Sequence, residues 1–137
     1  MGSGRGKVKV YVSDGAALVI IDAATTQTRQ LKKFVAAHVR SQTAALRISH
    51  DPFEVRIWTS VLRDKRGAHD VDNVAKALLD ALSGVFWYDD RQVVRLISER
   101  FYGDANRIAV RLSALQGPLD PVPLDESLLA SDAAQDA

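Results

Sequence analysis

Hydrophobic and polar residues alternate along several stretches of the chain with the two-residue period of β-strands. In the first stretch, "GRGKVKVYV", Lys7 and Lys9 stand between valines, and "AALVIID" follows after the turn pair Asp-Gly at 14–15. A third stretch, "FEVRIWTSVL", covers residues 53–62. Two more, "QVVRLISERFY" and "NRIAVRLSAL", flank "GDAN" at 103–106, which predicts a second hairpin. The pattern therefore predicts five strands.

Two other stretches have the spacing of amphipathic helices. From Thr26 to about Thr43, apolar residues recur near a helical period, and most of the Lys and Arg residues fall elsewhere on the helix. The second helix is predicted over 70–84, where Gly84 is typical of a helix end. The order β-β-α-β-α-β-β predicts an α+β fold, a small mixed and mostly antiparallel sheet with two main helices packed against it.

The composition changes at residue 117. Residues 117–137 hold five acidic residues, no Lys or Arg, and three of the four prolines. We predict one domain over 1–116, followed by an acidic, proline-containing flexible tail over 117–137, in which a short docking helix around 124–130 stays open. Without the tail, 18 basic and 12 acidic residues remain, so the net charge rises from +1 to about +6. Such a domain can attract polyanions.

Composition excludes several classes of protein. The chain has no cysteine, which rules out disulfides, zinc–thiolate sites and a cysteine nucleophile. No apolar run approaches the roughly 20 residues that span a bilayer, and the start lacks the apolar stretch of a signal peptide. His38 and His50 lack the spacing of metal ligands. We expect a cytoplasmic protein with no membrane partner.

The second helix carries polar side chains along one face. Asp70 and Asp72 stand at its start, and Asn73, Lys76 and Asp80 follow on the same face. Taken alone, these residues have a structural explanation. Asp70 suits an N-cap, Asp72 interacts favourably with the helix dipole, and Lys76 lies four residues from acids on either side.

Another acidic pair, Asp89 and Asp90, follows five residues after Gly84. If the next strand runs back alongside the helix, Asp70, Asp72 and Asp90 come together. Carboxylate oxygens are the ligands that Mg²⁺ prefers, usually with waters and substrate phosphates. A cation would also relieve the repulsion among the acids.

These residues form a pattern that resembles the signature of RusA-type Holliday junction resolvases: D-x-D-N-x-x-K-x-x-x-D-x-L-x-G over 70–84, then D-D-x-Q over 89–92. The resemblance implies a homodimeric endonuclease that nicks four-way DNA junctions symmetrically. It implies Mg²⁺ as cofactor, with Mn²⁺ as a substitute, and no small-molecule cofactor. By this resemblance, the catalytic residues are Asp70, Asp72, Asp90 and Lys76.

The same resemblance implies more detailed roles. Asp70, Asp72 and Asp90 bind the metal, Asp89 is a possible neighbour of the metal, and Asn73 accompanies Lys76 on the helix face. The opening lacks the family's proline-rich basic segment, and Ser83 and Arg91 depart from the usual residues. The residues expected to contact DNA are basic or polar and surround the acids or lie in the first strand: Lys7, Lys9, Arg63, Lys65, Arg66, His69, Asn73 and Lys76.

Other functions stay open. A DNA-junction-binding module without catalysis would use the acids as caps and turns, and a nuclease of flaps or forks would cut other branched DNA. A hydrolase with a carboxylate pair would work in EDTA, and a structural dimer would show no activity. Among the aromatic residues, Trp58 is expected in the core. Of Phe86 and Trp87, one is expected in the core and the other at a dimer interface or as a wedge in the junction.

Overall fold

Five β-strands form one mixed sheet in the computed structural model, which describes residues 6–13, 15–23, 32–33, 35–37, 49–62 and 71–130. The strand order is β1-β2-β5-β3-β4, and only β3 and β4 are parallel neighbours. The strands, in chain order, are β1 Gly6–Ser13, β2 Ala16–Ala23, β3 Phe53–Leu62, β4 Val93–Gly103 and β5 Arg107–Ala114. The single-domain α+β fold is thereby confirmed.

One helix connects the two parallel strands. This crossover helix, Val71–Leu82, leads from the end of β3 to the start of β4, so it runs back along the sheet. Gly84 follows it with φ of +83°, a left-handed conformation that suits glycine after a helix. Gly15, with φ of +70°, has the same conformation between β1 and β2. Helical residues at 32–33 and 35–37 belong to the predicted first helix; the rest of 26–43 lies outside the described residues.

The core lies between the helices and one face of the sheet. Alternate residues of β3, such as Val55 and Ile57, are fully buried, as expected of a strand with one covered face. The crossover helix contributes Val74, Leu78 and Leu82, which recur at helical spacing and are also buried. The other sheet face is called the open face below.

The hairpin predicted at 103–106 is wrong, because β3 lies between β4 and β5. The segment instead crosses the end of β3. The Ser60 hydroxyl donates to the Ala105 carbonyl at 2.9 Å, and the Leu62 amide donates to Asn106 Oδ1 at 3.1 Å. A side chain at Gly103 would displace the Ser60 hydroxyl, so glycine leaves room for the bond to Ala105. The turn residues were visible in the sequence, but turn chemistry does not specify which strands pair.

The aromatic residues also depart from expectation. Trp58 is half-buried on the open face instead of in the core, with the guanidinium groups of Arg56 and Arg111 5.0 and 5.4 Å from its ring centroid. Phe86 and Trp87 are both buried, because the turn after the helix folds both side chains inward. None of the helices in the described part of the chain is long and apolar enough to cross a membrane.

Candidate active site

The Asp90 carboxylate is exposed to solvent but held by a buried side chain. The indole N–H of Trp87 donates to Asp90 Oδ1 at 2.9 Å. Trp87 itself has no exposed surface and packs against Phe53, with ring centroids 5.5 Å apart. Because the indole cannot move without disturbing the core, it fixes the orientation of the carboxylate at the start of β4.

Gln92 fixes the rest of this turn. Its side-chain oxygen accepts hydrogen bonds from the amides of Tyr88 and Asp89 at 2.7 and 3.1 Å. Its side-chain nitrogen donates to the carbonyls of Ser49 and Asp51 at 2.8 and 2.9 Å, just before β3. The short 3₁₀ helix Asp90–Gln92 is therefore tied to both parallel strands.

Asp89 caps the same 3₁₀ helix. Its carboxylate accepts from the Arg91 amide at 2.9 Å and from the Arg91 guanidinium at 3.2 Å. These bonds, the backbone one above all, lower the pKa of Asp89. With one oxygen bonded to the amide and the other to the guanidinium, Asp89 has a capping role in this structure.

The crossover helix presents Asp72, Asn73 and Lys76 to solvent on its first two turns. Asp72 Oδ1 accepts from the Asn73 amide at 3.0 Å. Asp80, expected within reach of Lys76, instead forms its ion pair among the described residues with Lys32, at 3.7 Å. The described ion pairs do not include Lys76.

Within one copy of the chain, Asp72 lies in the first turn of the crossover helix, and Asp90 lies beyond the other end of that helix. A helix rises 1.5 Å per residue, so Asp72 and Leu82 are about 15 Å apart along its axis. Asp90 is held near the far end, because the Gly84 amide donates to the carbonyl of Trp87 at 2.7 Å. Among the residues that the structure describes, no group of three His, Cys, Asp or Glu could hold a metal ion.

Several predicted site residues lie outside the described residues: Arg63, Lys65, Arg66, His69 and Asp70. Lys9 is exposed, and the strand register places it in one row with Ile20, Ala109 and Trp58 on the open face. The register also pairs Lys7 with Asp22. Lys9 and the crossover helix therefore lie on opposite sides of the sheet.

The roles of Gln92 and Trp87 in positioning Asp90 were not predicted from the sequence. The Asp89-x-x-Gln92 spacing is a capping-box pattern and could have indicated the role of Gln92. The Trp87 to Asp90 bond has no such signal, because it depends on the indole being folded into the core.

Comparison with known proteins identifies the class. Residues 3–113 match the family model of DNA-cleaving enzymes described as endodeoxyribonuclease RusA. The chain belongs to the RusA family, and it is an endonuclease that hydrolyses DNA and acts on Holliday junctions.

The other comparisons add little. No curated protein matches the chain. Among solved structures, the OmpA-like domain of FopA1 from Francisella tularensis subsp. tularensis SCHU S4 is 13% identical over 84% of this chain and 85% of that one. The TM-score between the two structures is 0.38.

Replacing Trp87 by Phe tests the link between core and carboxylate. We expect the free energy of unfolding to fall by about 2 kcal/mol, because a buried ring shrinks and a hydrogen bond to a carboxylate is lost. Junction cleavage should fall as well. Chemical denaturation and a nicking assay measure the two effects. Asp90→Asn, which keeps the Trp87 packing and an oxygen acceptor for the indole, is the control and should lose less free energy of unfolding than Trp87→Phe. A Trp87→Phe variant with wild-type cleavage would contradict the positioning role.

Proposed function

We propose that this chain is a Mg²⁺-dependent resolvase that acts as a homodimer and cuts four-way DNA junctions by paired, symmetric nicks. The observation that carries the proposal is the exposed Asp90 carboxylate, oriented by a buried tryptophan, in a chain whose family acts on junction DNA. Its metal ligands are Asp70, Asp72 and Asp90. The reaction takes place in the cytoplasm, where the DNA is.

The donor set fits a hard divalent cation. Asp72 and Asp90 are exposed carboxylates, and Mg²⁺ prefers oxygen ligands and retains waters beside a substrate phosphate. When bound, Mg²⁺ supplies an activated water and charge stabilisation for phosphodiester hydrolysis. Trp87 orients Asp90, and the ammonium of Lys76, exposed one turn after Asp72, is available to neutralise negative charge on the DNA phosphate.

An exposed apolar edge supports the homodimer. Strand β4 is an outer strand among the five described, and four large apolar side chains along it are 42 to 55% exposed: Val94, Leu96, Phe101 and Tyr102. A long apolar edge strand of this kind is a template for association with another chain. In a two-fold dimer, the same surface serves both copies.

Such a dimer reunites the separated acids. A two-fold axis beside β4 that aligns the two strands antiparallel puts the start of one β4 beside the end of the other. Asp90 precedes the start of β4. The crossover helix begins after the end of β3, and β3 is parallel to β4, so Asp72 lies at the end of the sheet where β4 also ends. In the dimer, the start of the partner's β4 approaches this same end. The metal site would then combine Asp70 and Asp72 of one copy with the other copy's Asp90.

Junction recognition requires contacts to phosphates and shape more than contacts to bases. The basic stretch of sequence with Arg63, Lys65, Arg66 and His69 directly precedes the helix that carries Asp72. Asn73 and Lys76 extend this polar surface along the helix. We propose these residues as the DNA contacts nearest the scissile phosphate, with Lys7 and Lys9 as contacts from the first strand.

The experiment that tests the function uses three end-labelled DNAs: a four-way junction, a fork and a plain duplex. Each is incubated with the full chain in Mg²⁺, Mn²⁺ or EDTA. We expect paired nicks at symmetric positions in the junction with either metal and none in EDTA. Cleavage in EDTA would indicate a metal-free hydrolase, and cutting confined to the fork would indicate a fork or flap nuclease. Binding without cleavage under every condition would indicate a junction-binding module.

A further inference from the structure

The C-terminal segment is exposed, apolar and acidic at once. Residues 118–130, the acidic arm, follow the last strand, and the arm ends in the short 3₁₀ helix Glu126–Ala130. Leu124 and Leu129 are 87 and 88% exposed. Leucines exposed to this degree in an ordered segment are typical of a docking surface.

One end of the arm is already ordered. The Asp125 side chain accepts from the amide and the hydroxyl of Ser127 at 2.8 and 2.6 Å, which lowers the pKa of Asp125. The carboxylate therefore stays charged while it fixes the turn that presents Leu129. A pre-ordered segment loses less conformational entropy when it binds.

The open face of the sheet has the complementary chemistry. Its described charged residues are five basic and three acidic: Lys9, Arg56, Arg95, Arg107, Arg111, Asp22, Glu54 and Glu99. Each of these acids already has an arginine partner within 3.5 Å: Asp22 with Arg107, Glu54 with Arg95 and Glu99 with Arg56. Glu54 also lies 3.8 Å from Arg111, so Arg95 and Arg111 share this one carboxylate. With five basic and three acidic residues, the face keeps a surplus of two positive charges.

Apolar side chains run between these charges. Leu18, Ile20 and Ile97 are half-buried on this face, beside Trp58. The face therefore offers an apolar strip with a basic surround, while the arm offers leucines with acids. A second copy of the same face is a poor occupant, because its surplus charge has the same sign.

The arm can reach this face from its attachment point. The chain leaves the sheet after β5, a central strand, where the Leu115 amide donates to the Pro52 carbonyl at 2.8 Å. Leu124 follows Leu115 by nine positions, enough for an extended span of about 30 Å. That is about the length of a strand of this sheet. The tether also gives the arm a high effective concentration at the face.

We propose that the acidic arm docks on the open face of the sheet and competes there with DNA for the basic side chains. The competition rests on the proposed function, whereas the docking itself does not. In the docked state, Leu124 and Leu129 cover the apolar strip, and Asp120, Asp125 and Glu126 face the surplus positive charge around Arg111 and Lys9. The arm thereby weakens binding to plain duplex, which offers phosphates but no junction.

The test uses a variant of the full chain, called the neutral-arm variant, in which the five C-terminal acidic residues are replaced by their amide counterparts: Asp120→Asn, Asp125→Asn, Glu126→Gln, Asp132→Asn and Asp136→Asn. In EDTA at about 0.1 M salt, we expect this variant to bind plain duplex at least about tenfold more tightly than the wild type, with a steeper salt dependence. A synthetic peptide of residues 117–137 should reverse this increase in duplex affinity. The same peptide with the five substitutions should not. Equal affinity of variant and wild type would overturn the competition.

The docking site has its own readout, without DNA. Adding the acidic peptide of residues 117–137 to the neutral-arm variant should change tryptophan emission, and Trp58→Phe should abolish that change. Arg111→Gln should weaken peptide binding several-fold. An emission change that survives Trp58→Phe, with peptide affinity unaffected by Arg111→Gln, would overturn the open face as the docking site. If the chain bound no DNA at all, the proposed function would fail while this titration still decided the docking.

Discussion

Replacing Asp90 by Asn is expected to remove junction cleavage almost completely. The asparagine keeps the shape and an oxygen for the Trp87 indole, but it loses the charge that a divalent cation requires. Changing groups that only support a metal ligand costs 10 to 100-fold, so losing a direct ligand should cost more than about a hundredfold in cleavage rate. Asp72→Asn should have the same effect. Nicking of a labelled four-way junction in Mg²⁺ measures both.

Junction binding should survive these two substitutions, because affinity depends chiefly on phosphate contacts. A gel-shift titration in EDTA checks this. Asp80→Asn is the matched control: the same chemical change on the same helix, at a residue whose exposed ion pair with Lys32 contributes little. It should cleave like the wild type. Wild-type cleavage by either Asp90→Asn or Asp72→Asn would show that the acid in question is not a metal ligand.

Much of the fold could be predicted from local pattern. The third strand has the predicted bounds, Phe53–Leu62, because alternation is unambiguous when one face is fully buried. The crossover helix falls within the predicted 70–84, with Gly84 in the expected left-handed conformation. Periodicity shows which positions of a segment are buried and which are exposed. The secondary structure of these two segments follows from that pattern alone.

Strand pairing could not be predicted in this way. The turn residues at 103–106 are the same whether β4 and β5 pair or β3 lies between them, and the pairing is decided by burial across the whole sheet. Trp58 shows a related limit. Alternation assigns it to the face opposite Val55 and Ile57, but it does not say which face the helices cover.

The candidate site could also be predicted only in part. Residue type and spacing indicated Asp72, Asp90 and Lys76, and all three are exposed. Their separation within one copy follows from β4 running parallel to β3, because a parallel connection must return through the helix. The sequence does not indicate that β3 and β4 pair in parallel. The dimer proposal arises from this separation together with the apolar surface of β4.

The most direct test combines two inactive copies in one dimer. Chains carrying Asp72→Asn and Asp90→Asn are co-expressed with different tags, and the mixed dimer is purified through both. If each site takes Asp70 and Asp72 from one copy and Asp90 from the other, one of the two sites in the mixed dimer is intact. A mixed dimer of Asp70→Asn with Asp72→Asn has no intact site and is the control.

The quantity to measure is Mg²⁺-dependent nicking of a four-way junction by these mixed dimers. We predict that the Asp72→Asn/Asp90→Asn dimer regains about half of the wild-type nicking per dimer, since one of two sites works, and that its products are single nicks instead of paired ones. The control dimer stays inactive. A mixed dimer as inactive as its two parents would contradict the account, because all the acids of a site would then belong to one copy.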